Sequence, residues 1–278
     1  MKKCLVSLKS NKLSKKSSAY FFVDFPKSKK DLNNYLKVKK LINDTNFFKK
    51  KITILRKINY GLKKNILTGI NQVLKKNSKI IVLEDDLLLS KHFLEYMNKY
   101  LNYFENSKKV ASIHGYCYPI NNKKLDNFFF LKGADCWGWA TWSRAWKNYN
   151  DNHLFLAKKI KKMKQIKNFN FNNTFNYYHM LENRSSSTWA VNWYASAFVK
   201  NMLTLYPKHS YVRNLGNRGI GVHSKKIDKR FDVSLNNRFK FEKIKIEENL
   251  SARKKFEEFF YANFKINFFS KIIKILFK

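Results

Sequence analysis

The chain has 278 residues, 44% of them hydrophobic and 17% aromatic, and 57 lysines and arginines against 19 aspartates and glutamates give a formal net charge of +38. That apolar content excludes a disordered chain, and three prolines and eight glycines leave little material for long linkers. The length suits one α/β domain with elaborations.

In chain order, residues 18–24 (SAYFFVD) form an apolar, aromatic run that closes on Asp24 before Phe25-Pro26, the pattern of a strand ending in a turn. Helical spacing follows to about Leu41, and residues 52–55 (ITIL) make a second strand. Asn59-Tyr60-Gly61 supplies a turn before a helix with Leu62, Ile66, Ile70 and Val73 on one face. Residues 80–83 (IIVL), apolar on both faces, read as an interior strand of a parallel sheet. Strands separated by helices of this length predict βαβ crossovers, a Rossmann-like, mostly parallel sheet flanked by helices, and ligands at the carboxyl ends of the strands. Glu84-Asp85-Asp86 stands at such an end.

Ser90 caps the next predicted helix, with Phe93, Leu94, Met97, Leu101 and Phe104 at helical spacing. Residues 110–118 (VASIHGYCY) and 128–131 (FFFL) are further strands. All six tryptophans lie between Trp137 and Trp193, and the segment 133–142 (GADCWGWATW) is too aromatic for a linker. A polar stretch over 147–176 reads as a loop or a solvated helix. A helix over 189–199 and a strand over 203–206 precede the glycine cluster at 216–223 (GNRGIGVH). Phe260, Phe264, Phe268, Ile272 and Leu276 then recur every four residues with lysines on other faces. Such a helix either packs on the domain or lies on an anionic membrane. The expected organisation is a domain over 1–225, with a donor half over 1–120 and an acceptor half over 121–225, followed by a basic C-terminal helical extension over 226–278.

The charge attracts nucleic acid, anionic lipid or phosphorylated small molecules alike. Lysine is spread along the whole chain beside Asn, Ile and Phe, without zinc-finger spacing, an RNP-type motif or basic heptads, so nucleic acid is the less favoured partner. Cys4, Cys117 and Cys136 are odd in number and form no C-x-x-C pair, which suggests a reducing compartment rather than a disulfide framework. No run of 18 apolar residues and no signal-type leader is visible, so a cytoplasmic protein, peripheral at the inner face of the membrane, is expected.

Carboxylates at the end of a buried apolar strand must be solvated, paired or metal-bound, because an isolated charge there carries a large desolvation cost. A hard divalent cation, Mn²⁺ or Mg²⁺, prefers carboxylate oxygen and completes its shell with substrate phosphates. The competing reading makes the triplet a turn whose acids favour a following helix.

The combination of N-Y-G-L at 59–62, IIVLEDDLLLSKHFLEYM at 80–97, the Trp-rich segment and the late G-x-G-x-H resembles bacterial GT-A glycosyltransferases of surface-polysaccharide loci. More distantly it is similar to N-acetylglucosaminyltransferases that carry E-D-D in place of D-x-D. The resemblance spans roughly residues 3 to 223. It implies a GT-A fold and a metal-dependent, inverting transfer of a hexosyl or N-acetylhexosaminyl group. The donor would be a nucleotide sugar, most readily a UDP-sugar, and the acceptor a glycan or lipid-linked molecule. By that resemblance Asp86 ligates the metal, while Glu84 and Asp85 meet ribose, sugar hydroxyls or metal-bound water. Asp24 matches the acidic position near nucleobase and ribose. Arg56 and Asn59 match an R-x-x-N segment lining the donor site, or are turn residues. His223 falls where a late histidine supplies a metal ligand or phosphate contact.

An inverting transfer needs a carboxylate at the acceptor hydroxyl. Asp135 is the first choice and Glu182 the second. Trp137, Trp139 and Trp189 would stack on sugars, although core packing is the commoner use of Trp. One departure stands out: the family opens with a strand of the F-x-Y-N-R-P type, and none precedes the helix beginning at Lys2 or Lys3. The departure predicts an exposed sheet edge, an open donor pocket and, as an alternative, a noncatalytic relative.

Overall fold

The computed structural model describes residues 1–183, 189–216 and 228–264. The elements in chain order are α1 (Lys2–Lys9), β1 (Ser18–Val23), α2 (Leu32–Asn43), β2 (Lys50–Leu55), α3 (Gly61–Leu74), β3 (Lys79–Val82), β4 (Leu87–Leu89), α4 (Phe93–Tyr103), β5 (Val110–His114), β6 (Phe128–Lys132), β7 (Trp139–Trp142), α5 (Ser143–Trp146), α6 (His153–Lys162), α7 (Ile166–Phe169), α8 (Tyr177–Glu182), α9 (Trp189–Val199), β8 (Leu203–Pro207), β9 (Val212–Asn214) and α10 (Leu250–Asn263). The class is α/β, as the alternation of apolar runs and helical spacing predicts.

β1 and β2 pair in parallel as a separate two-stranded sheet, joined by α2 as a βαβ crossover requires. The main sheet runs β3-β7-β5-β8-β6, and β4 pairs with β9 apart from it. This sheet is mixed rather than mostly parallel: β5 and β8 are parallel, while β3 with β7, β5 with β7, and β6 with β8 are antiparallel. The reason lies in the connections. Parallel neighbours need a long crossover, usually a helix, yet the segments 115–127 and 133–138 contain none. β3 is correspondingly an edge strand, not an interior one. Its apolar residues mark burial, and the Trp-rich segment folds back as β7 to cover one side.

Two apolar cores flank this framework. The first gathers α4, β3, β5 and β7 around Phe93, Met97, Trp139 and Trp142; the second gathers α6, α8 and α10 around Leu156, Leu181 and Phe256. α9 is buried on nearly every side because it lies between them, with Trp193 and Ala197 in the first core and Tyr194 and Phe198 in the second. The 147–176 stretch, read as polar, supplies α6 and α7, whose Leu156, Ile160 and Phe169 are core residues.

Residues 232–249 cross the first core as an extended strap, with Phe239, Phe241, Ile244 and Ile246 against it. The strap is held where the Tyr211 and Tyr100 hydroxyls donate to the carbonyls of Arg238 and Glu242. α10 then buries Phe256, Phe259 and Phe260. In its described part, the C-terminal pattern therefore packs on the domain instead of lying free for a membrane. Phe268, Ile272 and Leu276 lie outside the described residues. Among the described residues, no helix is long and apolar enough to cross a membrane.

Candidate active site

Glu84, Asp85 and Asp86 occupy the turn between β3 and β4. Three elements converge there. α1 buries Cys4, Leu5 and Leu8 against β4, and the Ser7 hydroxyl accepts from the Leu89 amide at 3.1 Å. The Cys4 thiol donates weakly to the Glu84 carbonyl at 3.9 Å. From the other side, β9 brings its end to the turn: the Leu215 amide donates to the Asp86 carbonyl at 2.9 Å. Gly216 follows, its amide donating to the Asn214 side chain at 2.7 Å, and a Cβ at this position would overlap Asp86 Oδ2.

The three acids differ in environment. Asp85 is exposed and lies 3.5 Å from the Met1 ammonium. Glu84 is half-buried, and burial, reinforced by Asp86 and Asp85, pushes its carboxyl up to about 7. Asp86 is also pushed above its ordinary value, by burial first and then by Asp85. Its Oδ1 is buried without a hydrogen-bond partner among the described residues. Two crowded, desolvated carboxylates with an unsatisfied acceptor are the donor set a hard cation relieves. Among the described residues no group of three or more His, Cys, Asp or Glu side chains is placed to hold a metal. Asp86 and Glu84 are the two acids of the triplet whose desolvation a bound cation would offset. His223 lies outside the described residues.

Asp135 stands in the segment that leads into β7. The thiol of its neighbour Cys136 is driven far above its ordinary value by burial first, then by the charges of Asp135, Glu84 and Asp86. Asp135 Oδ1 accepts from the Cys136 amide at 2.8 Å, and Oδ2 accepts from the Tyr206 hydroxyl at 3.4 Å. Oδ2 also stands 3.8 Å from Nδ1 of the fully buried His114. His114 Nε2 accepts from the Trp137 amide at 3.0 Å, and burial lowers the imidazole's pKa, so the ring is neutral with its proton on Nδ1, which makes no hydrogen bond to Asp135. Gly115 makes this approach possible: its amide donates to the Gly138 carbonyl at 2.7 Å, and a Cβ there would meet Gly138 and Val212.

Glu182, the second candidate base, is placed differently. It ends α8, is exposed and meets the Tyr178 hydroxyl, while the charges acting on Cys136 are Asp135, Glu84 and Asp86.

The donor-site candidates Asp24, Arg56 and Asn59 do come together, at the first turn of α3. Asp24 accepts from the amides of Phe25, Tyr60 and Gly61 at 2.8–3.0 Å, which caps the helix. Arg56 donates to Asn65 and Thr68 while its guanidinium lies over Phe22 and Tyr60, and the Asn59 amide donates to the Phe25 carbonyl. All three spend polar atoms inside the protein.

Of the tryptophans expected to stack on sugars, Trp139 and Trp189 are core residues, stacked 5.8 Å apart beside Trp146 and Trp193. An indole packed inside the first core has no face left for a sugar. Trp137 alone of the three is half-buried, edge-on to Tyr116 and Phe231.

The chain matches no protein-family model and no curated protein.

Proposed function

We propose that the protein is a metal-dependent glycosyltransferase that moves a sugar from a nucleotide-diphosphate donor, most readily a UDP-sugar, to a glycan or lipid-linked acceptor. The observation that carries this reading is Asp86, whose Oδ1 is buried without a hydrogen-bond partner among the described residues while its carboxylate is crowded by the neighbouring acids of the triplet. Asp86 and Glu84 would hold Mn²⁺ or Mg²⁺, which, when bound, supplies positive charge to a departing diphosphate.

Asp135 takes the proton of the acceptor hydroxyl as that oxygen bonds to the anomeric carbon. The bond from that carbon to the diphosphate breaks, and its electron pair leaves with the nucleotide. Tyr206, donating to Asp135 Oδ2, and the Cys136 amide, donating to Oδ1, orient the carboxylate. Trp137, half-buried beside the site through its neighbour Cys136, offers an apolar surface to a sugar ring.

A noncatalytic protein of the same fold is favoured by one observation: Asp24, Arg56 and Asn59 already bond internally. A nucleotide-sugar panel monitored by thermal shift with and without Mn²⁺ separates the two readings, since a ligand preferred by the folded state raises stability by mass action. The transferase reading requires a Mn²⁺-dependent shift with at least one donor. A flat response across the panel favours the noncatalytic protein.

A further inference from the structure

We propose that the face formed by the ends of β1 and β2, the outer side of α2 and the first turn of α3 docks on an anionic lipid bilayer. Six of the thirteen exposed large apolar side chains among the described residues fall between Phe25 and Leu62, so exposure concentrates on this part of the fold. Phe25, Leu32, Leu36, Ile58 and Leu62 are 43–62% exposed.

They are neighbours in space. Leu32 and Leu36 are one turn apart on α2, sharing a side with Tyr35 and Lys39, and the Phe25 ring stands 6.1 Å from Tyr35. The Asn59 side-chain amide donates to the Phe25 carbonyl, and Asp24 accepts from the amides of Tyr60 and Gly61, which ties the turn that carries Ile58 and Leu62 to the chain at Phe25.

The charge around these side chains selects the occupant. Residues 24–64 carry thirteen lysines and arginines against three aspartates and no glutamate. Two of the three aspartates are occupied internally, Asp24 by three backbone amides and Asp31 by Ser28. The exposed ammonium groups of Lys27, Lys29, Lys30, Lys37, Lys57 and Lys64 thus face solvent around an apolar centre.

A bilayer with anionic headgroups satisfies both features at once: aliphatic and aromatic side chains enter the boundary between headgroups and acyl chains, while lysines reach the phosphates. Nucleic acid would pair with the lysines and leave Leu36, Ile58 and Leu62 in water. A second copy of the chain would bring the same positive charge to the contact, which opposes pairing. The inference does not rest on the transferase reading, because docking needs neither donor nor cation.

Vesicle co-sedimentation of the full chain at near-physiological salt tests it, comparing phosphatidylcholine alone with mixtures containing phosphatidylglycerol. The expected result is partitioning to the anionic vesicles and little to the neutral ones. The triple variant Leu36→Ser, Ile58→Ser, Leu62→Ser should lose at least about tenfold in partitioning with an unchanged melting temperature. The control Leu154→Ser, Phe155→Ser, at exposed apolar positions elsewhere, should bind as the parent does. The double reversal Lys29→Glu, Lys30→Glu should also weaken binding. No binding to anionic vesicles overturns the proposal. So does undiminished binding by the triple variant, which would reduce the effect to general charge attraction, or a concentration-dependent dimer that the triple variant abolishes.

Discussion

Asp86 and Gly216 are in such close contact that no side chain fits between them: a Cβ on Gly216 would overlap Asp86 Oδ2, while Oδ1 of the same carboxylate is buried and unpartnered among the described residues. The segment after β9 therefore closes over one oxygen of the acid, and the other has no hydrogen-bond partner among the described residues.

Gly216→Ala should displace Asp86 and abolish any Mn²⁺-dependent rise in melting temperature. Overpacking of this kind typically costs about 1–3 kcal/mol. Chemical denaturation measures that cost, and calorimetry with Mn²⁺ measures the lost binding.

Asp86→Asn removes a desolvated charge that is repelled by Asp85. Without metal, the variant should melt at the same temperature as the parent or above it, because the amide keeps an acceptor for the backbone hydrogen bond while the desolvated charge is gone. With Mn²⁺ and a donor, turnover should fall by about a hundredfold or more. A thermal melt and a donor-hydrolysis assay on the same preparation give both numbers.

Glu84 predicts a pH dependence of stability. Its folded carboxyl titrates at about 7 against an ordinary value of 4.5, so between these values the folded state holds a proton that the unfolded chain releases. Stability is highest below 4.5 as far as this group is concerned, and it falls as pH rises through 7, by on the order of 3 kcal/mol. Glu84→Gln should flatten this part of the profile, which urea denaturation across that pH range reads directly.

Asp135→Asn should lower kcat by about 10²–10⁴ while leaving Mn²⁺ and nucleotide binding intact, as expected for a base rather than a metal ligand. Tyr206→Phe, which removes a single 3.4 Å contact to Asp135, should cost less. Steady-state kinetics with separate binding titrations distinguish the two effects.

Much of this architecture was legible in the sequence, because burial writes itself into apolar spacing. The runs at 18–24, 52–55, 80–83, 128–131 and 203–206 are strands, and the helical faces at 62–73 and 93–104 are helices. Strand direction was not legible: nothing in Trp139–Trp142 distinguishes a returning strand from an acceptor loop, so β3 read as interior when it is an edge. Of the site, the acidic triplet and Asp135 were visible as residues, but the surroundings of Asp135 were not. They depend on β7 folding back beside β5, which brings Trp137 to His114. His114, Tyr206 and Gly216 carried only faint signals, a histidine before a glycine and the start of a glycine cluster. Asp24 and Arg56 show the opposite case, where residues suited to a ligand are used as a helix cap and its brace.

Core substitutions supply an independent check on the tryptophans. Trp139→Ala should cost about 3–5 kcal/mol in folding stability, whereas Trp137→Ala, at a half-buried ring, should cost less and act on acceptor KM. Equal destabilisation by both would return Trp137 to the core.

If Asp86 helps hold a cation shared with a nucleotide diphosphate, metal and nucleotide must bind together. Titration of Mn²⁺ followed by the electron paramagnetic resonance signal of the free ion, with and without UDP, reads that coupling. The parent should sequester Mn²⁺ more tightly in the presence of UDP, and Asp86→Asn should lose that enhancement. Equal Mn²⁺ uptake by parent and variant, or uptake indifferent to UDP, would contradict the account.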